Sequence, residues 1–356
     1  MKIQTCINCV NDTTVKKIEF DDNGICNFCN SYETIKDKIH DYKHLEELFL
    51  KRINKEKGKH KYDVALGISG GKDSTYVLYK LVNVYKLKVK AYTLNNGFLS
   101  DEAINKINSL VKELNVEHEY VVCDEKLLKK MYHYIVGKYI SPCIACAYLG
   151  YTVMINYASK VDAAVGMHGR SIPQMFRNYL TDFTDPFKPF IDAGLKDPSE
   201  VDLQNLYETS LSKISSHIDK KLAKQIEDTL LIDAKENGYK DFIAYFLYHP
   251  YEKNEVIDFI SKHTSWKVET EEEHFDCLIH NGAMYLKNLI ARRPHLMNEI
   301  SVMVRENSIT RDDAIKELKK ESIPYPEKEI NLLCKYARLN KKWLITKAKI
   351  YALRWW

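Results

Sequence analysis

No apolar run in this 356-residue chain is long enough to cross a membrane. Its first residues, Met1-Lys2-Ile3-Gln4-Thr5-Cys6, carry no signal-peptide apolar core, so the expected compartment is the cytoplasm. A strong charge of either sign is also missing. The formal net charge is +4 and the lysines are spread along the chain, which does not demand a nucleic-acid partner; tRNA stays open without being indicated. Tandem repeats and low-complexity tracts are absent, so a repeat architecture is excluded. With 45% hydrophobic and 29% charged residues, the chain is an ordinary globular protein with material for a real core, arranged as one large domain or two to three smaller ones. Cysteine, by contrast, is plentiful. Nine cysteines in a cytoplasmic protein point to metal or catalysis before disulfides.

The most informative stretch is Gly67-Ile68-Ser69-Gly70-Gly71-Lys72-Asp73-Ser74-Thr75. An apolar run from Tyr62 to Ile68 precedes it and reads as a buried strand ending at Ser69. Val77, Leu78, Leu81, Val82 and Tyr85 follow at helix spacing. A Ser-Gly-Gly turn between strand and helix lets successive backbone N–H groups converge on an anion. The helix N-terminus adds partial positive charge and Lys72 a full one. A phosphate or pyrophosphate is the expected ligand. The spacing is wrong for a Walker A loop. It resembles the Ser-Gly-Gly-x-Asp-Ser signature of the PP-loop ATP pyrophosphatases, the adenine nucleotide alpha-hydrolase superfamily. That resemblance implies a loop holding the β,γ-pyrophosphate of ATP while a substrate oxygen attacks the α-phosphate.

The cysteines sort into groups. Cys6-x2-Cys9 and Cys26-x2-Cys29 have the spacing of a closed, structural four-cysteine zinc site, with Asn23-Gly24 turning the chain before the second pair. A redox dithiol or a cluster is the alternative. The segment is too short for its own core, so a metal would supply its folding energy. Pro142-Cys143-Ile144-Ala145-Cys146 lies between two apolar helical stretches, and Cys277 stands alone in His274-Phe275-Asp276-Cys277. Three thiolates from Cys143, Cys146 and Cys277 suit three irons of a [4Fe–4S] cluster, with the fourth iron open. This set resembles PP-loop tRNA thiolases. The other reading makes Cys143 and Cys146 a redox pair or buried small hydrophobes. Cys123 and Cys334 sit in apolar segments and are expected in the core.

The order of elements predicts an α/β fold with a doubly wound parallel sheet. Residues 1–31 form the knuckle module and 32–61 a connecting helix and linker. Residues 62–181 form the PP-loop core, and 182–356 a mainly helical substrate or oligomerisation region. Strands are expected at 62–69, 89–94, 118–122 and 161–166, with a helix from the turn to about Val84. Ligands of such sheets bind at the carboxyl ends of the strands. Ser69, Gly70, Gly71, Lys72, Asp73 and Ser74, the Thr93–Asn96 segment with Thr93 and Asn95, and Gly166, His168 and Arg170 are therefore expected round one ATP crevice. Thr93–Asn96 would meet adenine or ribose. His168 and Arg170 would face phosphates or substrate, or belong to an ordinary strand-end loop. The aromatics Tyr245 to Tyr251 read as core or interface, and the aromatic C-terminal half makes a homodimer plausible.

Taken in order along the chain, the knuckles with Asp21-Asp22-Asn23-Gly24-Ile25-Cys26-Asn27-Phe28-Cys29, the Ser-Gly-Gly-Lys-Asp-Ser loop, Pro-Cys-x-x-Cys, Asp276-Cys277 and Ile309-Thr310-Arg311-Asp312-Asp313-Ala314-Ile315 resemble the N-acetyl sugar amidotransferase family. The resemblance implies conversion of an acetamido to an acetamidino group with ATP and ammonia from a partner glutaminase. The stretch Tyr285 to Pro294 departs from that family's lysine- and glycine-rich pattern, which leaves the acceptor open among sugars, nucleobases and peptide-like amides.

The expected reaction begins with an amide or carbonyl oxygen of a small-molecule or amide-bearing substrate attacking the α-phosphate of ATP. Lys72 and the loop amides neutralise the leaving pyrophosphate with Mg²⁺. Asp73 holds that metal or caps the following helix. The entering atom is then sulfur from a sulfide donor, with Cys277 and the cluster as carrier, or ammonia. No glutaminase signature occurs in this chain, so the ammonia reading needs a partner or free ammonia. A non-catalytic ATP-binding protein is the reading least compatible with the intact loop.

Overall fold

In a computed structural model the described residues are 3–15, 17–171, 173–174, 203–216, 218–267, 276–291, 293–294, 296–320 and 324–353. Arg354-Trp355-Trp356, the prolines at 186, 189 and 198, and His274-Phe275 lie outside them.

Five parallel strands form the sheet: β1 (Tyr62–Gly67), β2 (Val89–Asn95), β3 (Glu117–Val122), β4 (Ala163–His168) and β5 (Asp241–Ala244), in the order β3-β2-β1-β4-β5. The expected parallel α/β architecture is therefore present. β1 is central, and its Tyr-Asp-Val-Ala-Leu-Gly is buried up to its last residue, as a strand covered on both faces must be. Asp63, the one charge in it, accepts from the backbone N–H of Gly58 and Lys88, each at 2.7 Å, which pins the amino ends of β1 and β2.

Helices join the strands. The first group comprises α1 (Asn27–Glu33), α2 (Lys36–Ile39), α3 (Tyr42–Glu56), α4 (Lys72–Tyr79), α5 (Asp101–Glu113), α6 (Glu125–Tyr139) and α7 (Pro142–Lys160). α4 runs on into a π-helical turn, Lys80–Val84. Ser100 and Asp124 cap α5 and α6 through bonds from Ala103 N and Leu127 N. Beyond β4 come α8 (Leu203–Ser216), α9 (Lys220–Leu230), α10 (Ile232–Asn237), α11 (Lys253–His263) and α12 (His280–Ala291). The last four are α13 (Met297–Arg305), α14 (Arg311–Lys320), α15 (Glu327–Ala337) and α16 (Lys341–Leu353). No helix among the described residues is long and apolar enough to cross a membrane.

All four expected strands differ in their bounds, β2 running one residue further, to Asn95, and β3 starting one residue earlier, at Glu117. β1 stops at Gly67, because the chain turns at Ile68 to enter the Ser-Gly-Gly loop. β4 starts later and runs to His168, so Gly166 lies inside the sheet, between Ala65 and Phe242. β5 is a further correction, since the region beyond 182 is mainly helical but also supplies this edge strand. Arg52 of α3 holds β5 from outside, donating from Nε to Asp241 (2.8 Å) and from Nη1 to the Tyr248 hydroxyl (2.6 Å).

The chain leaves β1 toward β2 and β3, then returns to build β4 and β5 on the other side. The reversal between β1 and β4 opens a crevice at their carboxyl ends. Both the Ser-Gly-Gly turn and the His168–Arg170 segment sit at that mouth.

Candidate functional site

The turn after β1 is built for close backbone approach. Gly70 has φ +80°, and a Cβ there would stand 3.1 Å from Ile107 Cγ1 and 3.3 Å from the Ala103 carbonyl. Gly71 is the N-cap of α4, and no side chain caps the first turn. The opening N–H groups of such a helix have no intrahelical acceptor, so they can receive an anion. Ser69 Oγ accepts from Gly71 N (3.4 Å), and Ser74 Oγ accepts from Ser69 N (3.3 Å) while donating to the Gly71 carbonyl (3.1 Å). The two serines thus brace the loop. Trp266, buried, donates from Nε1 to the Gly70 carbonyl (2.9 Å) and closes the loop from outside. Gly169 lets the β4 exit pass close to α4, since a Cβ on it would lie 3.1 Å from the Asp73 carbonyl.

Asp73 does not cap α4. Its carboxylate accepts from Tyr251 (3.0 Å) and Gln174 Nε2 (3.1 Å) and faces Lys72 Nζ at 3.4 Å. Lys72 and Asp73 therefore stand side by side at the crevice mouth.

The remaining crevice residues divide. Thr93 spends its hydroxyl on the Ile68 carbonyl (2.8 Å) and pairs with His118 Nε2 (2.9 Å), so it ties β2 to the β1 exit. Asn95 Oδ1 accepts from Gly97 N (3.0 Å) and shapes the β2 exit turn. His168 is buried, and burial together with the Arg170 charge holds it down to about 3. It is neutral at ordinary pH, and its Nδ1 accepts from Arg170 N (3.2 Å).

Those cysteines gather at the β2 exit. Cys277 forms an antiparallel bridge with Leu99; Ser100 N donates to the Asp276 carbonyl (3.2 Å) and Leu278 N to the Phe98 carbonyl (2.8 Å). Asn96 Nδ2 reaches Cys146 Sγ at 3.1 Å. Tyr132 is buried against Phe98 and Tyr336 behind this exit. Burial pushes the Cys146 thiol up to about 11 and that of Cys277 up to about 12, so a cation would be needed to hold either as thiolate at neutral pH. The three sulfurs do not converge within 4.8 Å as the N-terminal four do. Such a wider set does not suit one tetrahedral ion, whereas thiolates on separate irons of a cubane sit further apart. Cys123 and Cys334 are buried in the core, as expected.

The N-terminal four form a closed centre. Cys6, Cys9, Cys26 and Cys29 are buried, and their sulfurs all lie within 4.8 Å of one another. Cys26 and Cys29 are 3.6 Å apart, Cys9 and Cys26 3.7 Å, and Cys6 and Cys29 3.9 Å. Gly24, at φ +79°, makes the predicted turn before the second pair. Contacts among the four sulfurs lower the Cys6 and Cys9 thiols and raise those of Cys26 and Cys29. Four buried sulfurs in this arrangement fit a tetrahedral, thiophilic ion with no open position.

Sequence reasoning missed Tyr251, Trp266 and Arg305, and named Asn96 and Arg311 only within the Thr93–Asn96 segment and the 309–315 motif, without the cysteine contacts they make. Arg305 had a legible signal, a lone cation on the buried stripe Met297, Ile300, Ser301 of α13. The rest act through tertiary contacts that no local pattern marks.

No family model matches the chain. It is 26% identical over 132 residues to the uncharacterized protein MJ1638 of Methanocaldococcus jannaschii, over 35% of this chain and 49% of that protein. It is 31% identical over 150 residues to the uncharacterized protein MJ1599 of the same organism, over 40% of this chain and 50% of that protein. The chain thus spans about half the length of the curated relatives it matches. Among solved structures, it is similar to the U34-tRNA thiolase NcsA from Methanococcus maripaludis with its [4Fe-4S] cluster, with 15% identity, a TM-score of 0.37 and coverage of 95% of this chain and 88% of that one. The NH3-dependent NAD synthetase from Campylobacter jejuni, in complex with nitrate ion, gives 16% identity and a TM-score of 0.31 over 55% of this chain and 95% of that one. The NMN synthetase from Francisella tularensis gives 11% and 0.30, over 56% and 96%.

Proposed function

We propose that the chain is an ATP-dependent enzyme that adenylylates an amide or carbonyl oxygen and then replaces that oxygen with sulfur. One observation carries this reading: Cys277 bridges Leu99 and Cys146 meets Asn96, both at the β2 exit and at the same sheet end as the Ser69–Ser74 turn. An anion cradle and three cysteines on one rim support successive activation and substitution at one substrate carbon.

ATP enters with pyrophosphate on the α4 N-terminus and Lys72. The acceptor oxygen attacks the α-phosphate and the α–β bridge breaks. Lys72 and the loop amides meet the charge that develops on the departing pyrophosphate. Arg170, which follows β4 at the crevice mouth, would hold the adenylylated acceptor. Sulfide then attacks the activated carbon, and AMP leaves with the former acceptor oxygen. Cys143, Cys146 and Cys277 would hold a [4Fe–4S] cluster, which when bound supplies a site for the incoming sulfide. Mg²⁺ would travel with the nucleotide and face Asp73. Zinc would fill the four-cysteine centre as a structural ion.

Ammonia as the entering group uses the same adenylyl step. The order of motifs resembling the sugar amidotransferases supports that second reading. The two part at Cys277.

Calorimetric titration with Mg-ATP, followed by AMP assay, tests the proposal. Lys72→Ala is expected to weaken nucleotide binding and cut AMP release by about a hundredfold. Cys277→Ser is expected to bind ATP normally yet form no thiolated product. Normal AMP release by Lys72→Ala overturns the loop assignment. Ammonium-driven turnover that survives in Cys277→Ser moves the reaction to amidination.

A further inference from the structure

The four-cysteine centre is completed from the far end of the chain. Arg305, the last residue of α13, is only 8% exposed. Its Nε donates to Cys29 Sγ (3.3 Å) and its Nη2 to Cys9 Sγ (3.5 Å), while the guanidinium lies 5.9 Å from the centre of the Phe28 ring. Arg311, at the start of α14, donates to the carbonyls of Cys9 (3.1 Å) and Cys6 (3.0 Å). Buried Ser301 donates to buried Asn11 Oδ1 (2.8 Å). Met297 packs among the cysteines, and Val10 packs with Ile300 and Ala314.

A guanidinium does not give up its proton in a protein, so a buried one requires negative charge beside it. Two donors of Arg305 are aimed at sulfur. Neutral thiols would repay little of the cost of burying that cation. Four thiolates round a divalent ion carry a net charge of about −2, which a buried cation offsets. The same contacts fasten α13 and α14 to the knuckles.

We propose that the four-cysteine centre is a metal clasp joining the N-terminal knuckles to α13 and α14, with Arg305 as the positioning residue that balances the thiolate charge. The clasp is independent of the chemistry at the β2 exit, and its failure would leave that chemistry untouched. Loss of the ion should free residues 297–320 from the knuckles, and loss of the Arg305 charge should free the ion.

The test uses the full-length protein loaded with zinc and, separately, with cobalt(II). Zinc transfer to a chromogenic chelator is timed for the wild type, Arg305→Met and Arg305→Lys. Arg305→Met is expected to release zinc about 10- to 100-fold faster, in line with losses seen on removing partners of metal ligands, with Arg305→Lys between. The cobalt–thiolate absorption band is expected to shift in Arg305→Met, which a purely packing role would not cause. Limited proteolysis of chelator-stripped wild type is expected to cut within 297–320 first. Wild-type release rates and an unchanged cobalt band in Arg305→Met overturn the charge role. Unchanged protection of 297–320 after stripping overturns the clasp. If Arg305→Met does not accumulate as folded protein, Arg305→Lys is read in the same way, faster release supporting the proposal and wild-type release overturning it.

Discussion

His168 shows how burial sets the charge of one residue at the crevice. It closes β4, accepts from Arg170 N and is buried, so the fold keeps it neutral. The unfolded chain protonates it near its ordinary 6.5, the folded chain only near 3. Between those values the unfolded state binds more protons, so its contribution to stability is complete above 6.5 and is lost as pH falls toward 3. From pH 6.5 to 5 that loss is about 2 kcal/mol for one such histidine. Denaturant titrations across that range are expected to show a shallower pH dependence in His168→Gln than in the wild type. Parallel curves would mean that His168 is not held neutral. The same scale shows that Asp73, Thr93 and Gly166 have partners within the fold that local sequence did not mark. Residue type and loop position suggested a cap, a ligand contact and a strand-end glycine. Tyr251 and Gln174, Ile68 and His118, and Phe242 decide their roles, and all come from elsewhere in the chain.

At the scale of elements, local patterns foretold β1, the Ser-Gly-Gly turn and α4, because the buried run, glycines and helix period are contiguous. β5 escaped for a physical reason. Its apolar residues Phe242, Ile243 and Ala244 run directly into Tyr245-Phe246-Leu247, and a short apolar run of that kind reads equally as strand or buried helix. Its neighbour β4 also lies far back in the sequence, across α8, α9 and α10. The strand's position depends on Arg52 of α3, which grips Asp241 and Tyr248. Arg52→Met is therefore expected to speed amide hydrogen exchange in Phe242–Ala244 by tenfold or more while leaving β1 and β2 protected. Equal exchange in the variant would show that sheet packing alone holds β5.

Across the whole molecule, two sets of cysteines occupy different stations. One lies in the N-terminal knuckles and reaches the C-terminal helices through Arg305 and Arg311. The other stands at the sheet's carboxyl end, next to the anion turn. Spacing foretold the first, since paired Cys-x-x-Cys motifs state their own geometry. The second depended on Cys277 coming back to the β2 exit, which only the fold could decide. The central claim is that this second set carries sulfur beside an ATP-activating loop. Iron, acid-labile sulfide and zinc content of anaerobically purified full-length protein tests it most directly. About four irons and four sulfides per chain are expected beside about one zinc. Zinc without iron or sulfide, even after anaerobic reconstitution, would contradict it and leave ammonia as the entering group.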